Sequence, residues 1–165
     1  MCLPAVAPCM EKVTFEELDA DNNPGGGKES ARRVGEALGT EDVGLSYYEL
    51  DAGQNLSGGV HTHMDQEEIF YVLDGTLTFR TLDGDVEVEG GEAVRFAPGD
   101  FQQGKNESDE SARLLGIGAP KPSTDVRVPQ PCAACGESDT LRFVPGDGGM
   151  ELQCPECGET HEMPG

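Results

Sequence analysis

A chain of 165 residues has room for one domain with a substantial core and a small appendage, and too little for two full domains. Its 32 acidic side chains against 11 basic ones leave a formal charge of −21, a field that repels phosphate backbones and anionic membrane surfaces and so excludes polynucleotide binding through a broad basic patch. No apolar run is long enough to span a bilayer, and the start, MCLPAVAPCMEKV, lacks the charged flank and apolar length of a signal peptide, so residence in the cytoplasm is expected.

Residues 1–42 read as an N-terminal arm, partly disordered. The nine residues before Met10 form an over-extended start or a loose leader, and Cys2 and Cys9 within them are assigned no role. Val13-Thr14-Phe15 is expected as a short edge strand, Asp19 to Lys28 as turn and loop, and Ser30 to Leu38 as one or two helical turns or an irregular arm stopped by Gly39. Val43 to Leu50 then reads as a strand with aromatic and aliphatic residues.

After a polar stretch from Asp51 to Ser57 comes GGVHTHMDQEEIFYVLDG, residues 58–75. His61 and His63 are one residue apart, and side chains in an extended segment alternate faces, so both imidazoles point the same way. Met64-Asp65-Gln66 makes a turn, and Glu68 to Leu73 is a second strand that folds a carboxylate back beside the imidazoles. Two neutral imidazoles and a carboxylate suit a divalent transition metal (Mn, Fe, Ni or Zn), with positions left for water or substrate. Glu67 is the rival carboxylate on the opposite strand face. Two exposed histidines in a polar turn would be the reading without a metal.

Beyond Gly75 the alternation continues through Thr76 to Leu82, turns at Asp83-Gly84, and resumes from Asp85 to Glu89, a strong hairpin signal. Gly90-Gly91 turns the chain again, Ala93 to Phe96 leads to Ala97-Pro98-Gly99-Asp100, and Ala112 to Gly118 is a further strand. Many short strands without long helices indicate an all-β sandwich or barrel.

The H-x-H pair, four residues, Glu68, six residues and Gly75 resemble the first motif of the cupin superfamily, with Asn55 standing where the family's opening glycine falls. The stretch GEAVRFAPGDFQQGKN resembles the second: Gly91, Gly99 and Asn106 keep the spacing, Ala97 takes the usual proline position, and Gln102 takes that of the histidine. The resemblance implies a double-stranded β-helix, a jelly-roll cupin barrel, over residues 43–118. It implies a metal held by His61, His63 and Glu68 with Gln102 as an optional fourth ligand. A glutamine oxygen is a harder donor than imidazole and shifts preference towards Mn or Fe. Gln103 is the neighbouring alternative on the other face.

Residues 119–131 read as a proline-bearing linker to a module at 132–165. There, Cys132-x-x-Cys135 and Cys154-x-x-Cys157 flank an insert with a turn at Gly146-Asp147-Gly148-Gly149, and two such pairs supply four thiolates to one structural zinc. The module looks like a zinc ribbon, and its few large apolar residues are expected to fold as a zinc-closed unit separable from the barrel. His161 lies beyond the fourth cysteine and is not needed as a ligand. Arg142 is the only basic residue between Cys132 and Cys157, which leaves nucleic acid without an electrostatic footprint and favours a structural or protein-docking role.

Two functions follow. The first is a metal-dependent enzyme of dioxygenase or isomerase type acting on a small molecule. The second is a non-catalytic barrel that senses a small ligand or metal while its ribbon docks a protein partner. A homodimer through the barrel sheets is also expected. The acidic composition resembles that of cytosolic proteins from salt-accumulating halophiles.

Overall fold

Turn chemistry sets the strand lengths. Gly75 (φ 83°) and Gly84 (φ 129°) adopt backbone conformations that side-chain-bearing residues rarely take; the first separates two strands and the second opens one after a turn. In the computed structural model, which describes residues 10–22, 30–161 and 163, nearly all regular structure is β. The strands are β1 (Asp21–Asn22), β2 (Ser30–Arg32), β3 (Gly44–Leu50), β4 (Thr62–His63), β5 (Glu67–Asp74), β6 (Thr76–Thr81), β7 (Gly84–Glu89), β8 (Ala93–Phe96), β9 (Gln102–Lys105) and β10 (Ala112–Ala119). They continue with β11 (Val126–Val128), β12 (Leu141–Gly146), β13 (Gly149–Gln153) and β14 (Thr160–His161).

One sheet has the order β1-β2-β3-β10-β5-β8 and a second has β7-β6-β9. All their pairings are antiparallel. The core draws on both sheets: Leu50, Phe70, Val72, Phe96, Ala112 and Leu114 from the first meet Leu77, Phe79 and Val88 from the second. Phe79 lies at the centre, with ring centroids 5.0 Å from Phe70 and 5.4 Å from Phe96. This is an all-β barrel, as the alternation and turns imply, and the double-stranded β-helix that the resemblance implies. Asn106, fully buried, closes it by donating from Nδ2 to the carbonyls of Leu50 (3.0 Å) and Glu110 (2.7 Å).

Three expectations for the ends of the barrel need correction. Val13 to Phe15 does not form an edge strand; Phe15–Glu17 is a single 3-10 turn, and the Phe15 ring packs on Tyr47 at 5.5 Å. The reason is topological: both edges of β3 are occupied, by β2 and β10, so no strand edge is open there. Between Ser30 and Leu38 the chain is part strand, β2, and part a one-turn helix, α1 (Val34–Ala37). Residues 1–9 and 23–29, including Cys2, Cys9 and most of the expected loop, lie outside the described residues.

The third correction concerns the tail. Residues 119–131 are not a plain tether, because they contain β11. That strand pairs with β4 of the barrel on one side and β12 of the tail on the other, giving the sheet order β14-β13-β12-β11-β4. The tail is therefore joined to the barrel by continuous backbone pairing. Its own core is small: fully buried Leu141 and Leu152 meet Cys132 and Cys154. Two such leucines contribute only about 1.5–3 kcal/mol each, against an ordering cost on the order of 1–2 kcal/mol per residue.

Candidate metal centre

Alternation along β4 and β5 assembles the site. Thr62 is buried on one face of β4, while His61 and His63 on either side of it turn to the other and bring their ring centroids to 5.3 Å. On β5, Glu68 shares parity with the buried Phe70 and Val72 and points into the barrel. Glu67 has the opposite parity and pairs with Arg95 at the surface at 2.6 Å, so the rival carboxylate is out of reach. The ligand atoms of His61, His63 and Glu68 lie within 4.8 Å of one another.

The hydrogen bonds around the imidazoles fix which nitrogen is free. His61 Nδ1 lies 3.1 Å from the Gly59 carbonyl and His63 Nδ1 lies 2.8 Å from Ser123 Oγ, which in turn donates to Asp65 Oδ1 at 2.7 Å. With Nδ1–H donating in both rings, the Nε2 lone pairs remain for a cation, and His63 Nε2 is 3.5 Å from Glu68 Oε1. Burial lowers the pKa of both histidines, outweighing the Gly59 carbonyl and Glu68 at His61 and Asp65 at His63. Burial also raises the pKa of Glu68, against the pull of His61 and the hydrogen bond from Gln102. Neutral imidazoles and a carboxylate short of positive charge fit a divalent cation.

Gln102 is brought to this cluster by backbone pairing, since its N–H donates to the His61 carbonyl at 2.8 Å and His61 N–H donates back at 3.1 Å. Its side chain is 2 % exposed, and Nε2 donates to Glu68 Oε2 at 2.9 Å. In this arrangement its amide partners the carboxylate. Gln103, on the other face, donates to the Ser57 carbonyl instead.

Several residues of the site had no sequence signal. A cavity of about 480 Å³ opens over the donors and is also lined by Arg33, Tyr48, Lys121 and Ser123. Arg33 lies in what reads as an arm, and Lys121 and Ser123 in what reads as a linker. Only spatial closure brings them to the histidines.

In the tail, Cys132, Cys135, Cys154 and Cys157 place their sulfurs within 4.8 Å of one another. The Cys132–Cys157 and Cys135–Cys154 separations are both 3.8 Å, too long for a disulfide. They match the edge of a tetrahedron with Zn–S bonds, about 3.8 Å for bonds of about 2.3 Å. Crowding spreads the thiol pKa values. Backbone N–H groups, that of Cys135 foremost, bring Cys132 down to about 6. At Cys157 the Glu159 N–H favours the thiolate, yet burial and the other three sulfurs push it up to about 12. Four thiolates so placed need a compensating dication, and zinc fits. His161 Nε2 approaches Cys132 Sγ at 3.4 Å, a partner to the cluster that sequence spacing set aside.

A double-stranded β-helix with two imidazoles and a carboxylate converging inside it defines a small-barrel protein with a metal-competent pocket. Residues 46–118 match the family model described as "Cupin domain". Among solved structures, a sugar phosphate isomerase of the cupin superfamily from Silicibacter pomeroyi DSS-3 is similar over 90% of this chain and 95% of its own, with TM-score 0.67 and 21% identity. The polyketide cyclase RemF from Streptomyces resistomycificus is similar over 71% of this chain and 83% of its own (TM-score 0.61, 23% identity). A Thermus thermophilus protein covers 68% of this chain with all of its own length (TM-score 0.56, 27% identity). Among curated proteins, none matches this sequence. At this identity the first two similarities establish fold alone. Among the described residues, no helix is long and apolar enough to cross a membrane.

Proposed function

We propose that this chain is a metal-dependent cupin enzyme acting on a small anionic molecule, by isomerase or dioxygenase chemistry. One observation carries the reading: His61, His63 and Glu68 converge on a cavity whose wall also holds Arg33 and Lys121. In a chain of charge −21, two of the 11 basic residues stand at that one cavity. The general field repels an anion, so local cations are needed to receive one. Lys121 Nζ spends one hydrogen bond on the Thr40 carbonyl at 2.9 Å, and an ammonium has three to give. The similarity in fold to a sugar phosphate isomerase agrees with an anionic substrate.

His61, His63 and Glu68 would hold the metal, with Gln102 orienting Glu68. A divalent ion there supplies a Lewis acid to a substrate oxygen or a centre for dioxygen chemistry. Arg33 and Lys121 bind and orient the anionic group, while Phe70, Leu45 and Ile117 exclude water from the inner wall. The tail cysteines would hold a structural zinc.

The test begins with elemental analysis of protein purified without added metal. The Mn- and Fe-loaded forms are then presented with phosphorylated and carboxylated sugars and with keto acids, following isomer ratios by NMR and oxygen uptake. Turnover is expected, with KM raised in Arg33→Ala and Lys121→Ala. Stoichiometric metal with ligand binding and no turnover would instead support the sensing barrel whose ribbon docks a partner.

A further inference from the structure

The two histidines are held from opposite directions. His61 Nδ1 is satisfied by Gly59, within its own loop. His63 Nδ1 is satisfied by Ser123, sixty residues later, whose hydroxyl is in turn aimed by Asp65. Asp65 is clamped: its Oδ2 accepts from Thr124 N–H at 2.7 Å and from Thr124 Oγ1 at 2.6 Å. Around this relay the same segment is tied to the barrel by Gln66 Nε2 donating to the Pro120 carbonyl at 2.7 Å and Met64 N–H donating to the Asp125 carbonyl at 2.8 Å. The next residues form β11, which pairs His63 with Val126 and Thr62 with Arg127, and carries the pairing on to β12 in the tail.

We infer that Ser123 and Asp65 are positioning residues for His63, and that the zinc-closed tail, acting through β11, holds them in place. The chain of donors runs in one direction. His63 Nδ1–H donates to Ser123 Oγ, and Ser123 O–H donates to the Asp65 carboxylate, which only accepts. That order leaves His63 Nε2 without a proton and facing Glu68. Without Ser123 the neutral ring can carry its proton on Nε2, where it would donate to Glu68 and block a cation. Because β11 has three residues and lies between β4 and β12, its position depends on both neighbours. Among the described residues, the tail's fully buried apolar side chains besides its cysteines are Leu141 and Leu152, a small core to keep β12 in register without a metal. Loss of the tail zinc therefore loosens the brace on a barrel ligand that it never touches. The inference rests on the metal reading of the barrel, and its test separates the two.

The experiment uses the full chain with Mn²⁺ as probe, a hard ion that leaves the thiolate site to zinc. Calorimetric titration should show Ser123→Ala and Asp65→Asn weakening Mn²⁺ binding by roughly 10–100-fold, the range for outer partners of a ligating histidine. Ser123→Thr, which keeps the hydroxyl, should restore it. Cys154→Ser, which disrupts the tail cluster, should weaken binding to a similar degree. In parallel, ¹⁵N NMR of the metal-free protein at pH 8 should find His63 as the Nδ1–H tautomer in wild type, and a tautomer mixture in Ser123→Ala and Cys154→Ser. Wild-type protein that binds no Mn²⁺ would sink the barrel-metal reading while the tautomer measurement still decides the brace. Unchanged affinity and unchanged tautomer in Ser123→Ala would overturn the positioning role. Unchanged values in Cys154→Ser, with its tail unfolded by hydrogen exchange, would overturn the link to the tail.

Discussion

Gln102 Nε2 donates to Glu68 Oε2 at 2.9 Å, tying a residue of β9 to a carboxylate of β5 across the barrel. The backbone bridge between Gln102 and His61 fixes position 102 against the histidine pair, so whatever side chain stands there faces the cluster. Gln102→His should supply a third imidazole and increase affinity for zinc or nickel on the order of tenfold or more, while helping manganese less. Competition against a chromophoric chelator measures it. Equal affinities in the variant and wild type would mean that position 102 does not reach the cation.

The histidines predict a pH dependence for the metal-free protein. Both pKa values are lowered from 6.5, chiefly by burial, so below pH 6.5 the unfolded chain takes up protons that the folded chain refuses. Stability must then fall as pH drops through that window. Glu68, raised from 4.5 by burial, acts with the opposite sign above pH 4.5. The comparison is therefore with His61→Gln/His63→Gln, which keeps Glu68. Urea midpoints between pH 8 and 5 should fall more steeply in wild type; parallel curves would contradict the assignment.

Gly75→Ala should destabilise the barrel without touching the site. Its φ is 83°, and an added Cβ would lie 2.8 Å from the Ser111 carbonyl oxygen and 2.9 Å from Ala112 Cα. The backbone strain costs about 1–3 kcal/mol, and the overlap with β10 adds a similar amount, about 1–3 kcal/mol. The urea midpoint should drop accordingly, and a variant as stable as wild type would show that β10 yields freely.

A charge of −21 on 165 residues predicts salt-dependent stability. The described ion pairs, such as Arg80 with Glu107 and Arg113 with Asp74, lie largely at the surface and offset little of the repulsion. Screening should raise Tm from dilute buffer into molar potassium chloride. A Tm that stays level or declines over that range would refute it.

Much of the barrel and the floor of its site was legible in the residues. Period-two alternation and Asp-Gly or Gly-Gly turns are local signals. They predict the strands from Gly44 to Phe96 and the one that starts at Ala112, though not β9 between them, place His61 and His63 on one face, and, through family spacing to Gly75, favour Glu68 over Glu67. The four cysteines likewise announce themselves by spacing. What only the tertiary structure decided is which distant groups meet those residues. β11 is too short to show a period, and its composition gives no sign that it will bridge β4 and β12. Ser123, Lys121 and Arg33 carry no pattern that distinguishes them from solvated polar residues until closure brings them to the cavity. The role of Gln102 changes for the same reason: spacing locates it beside the metal ligands, but the direction of its hydrogen bond depends on the Glu68 carboxylate facing it from another sheet.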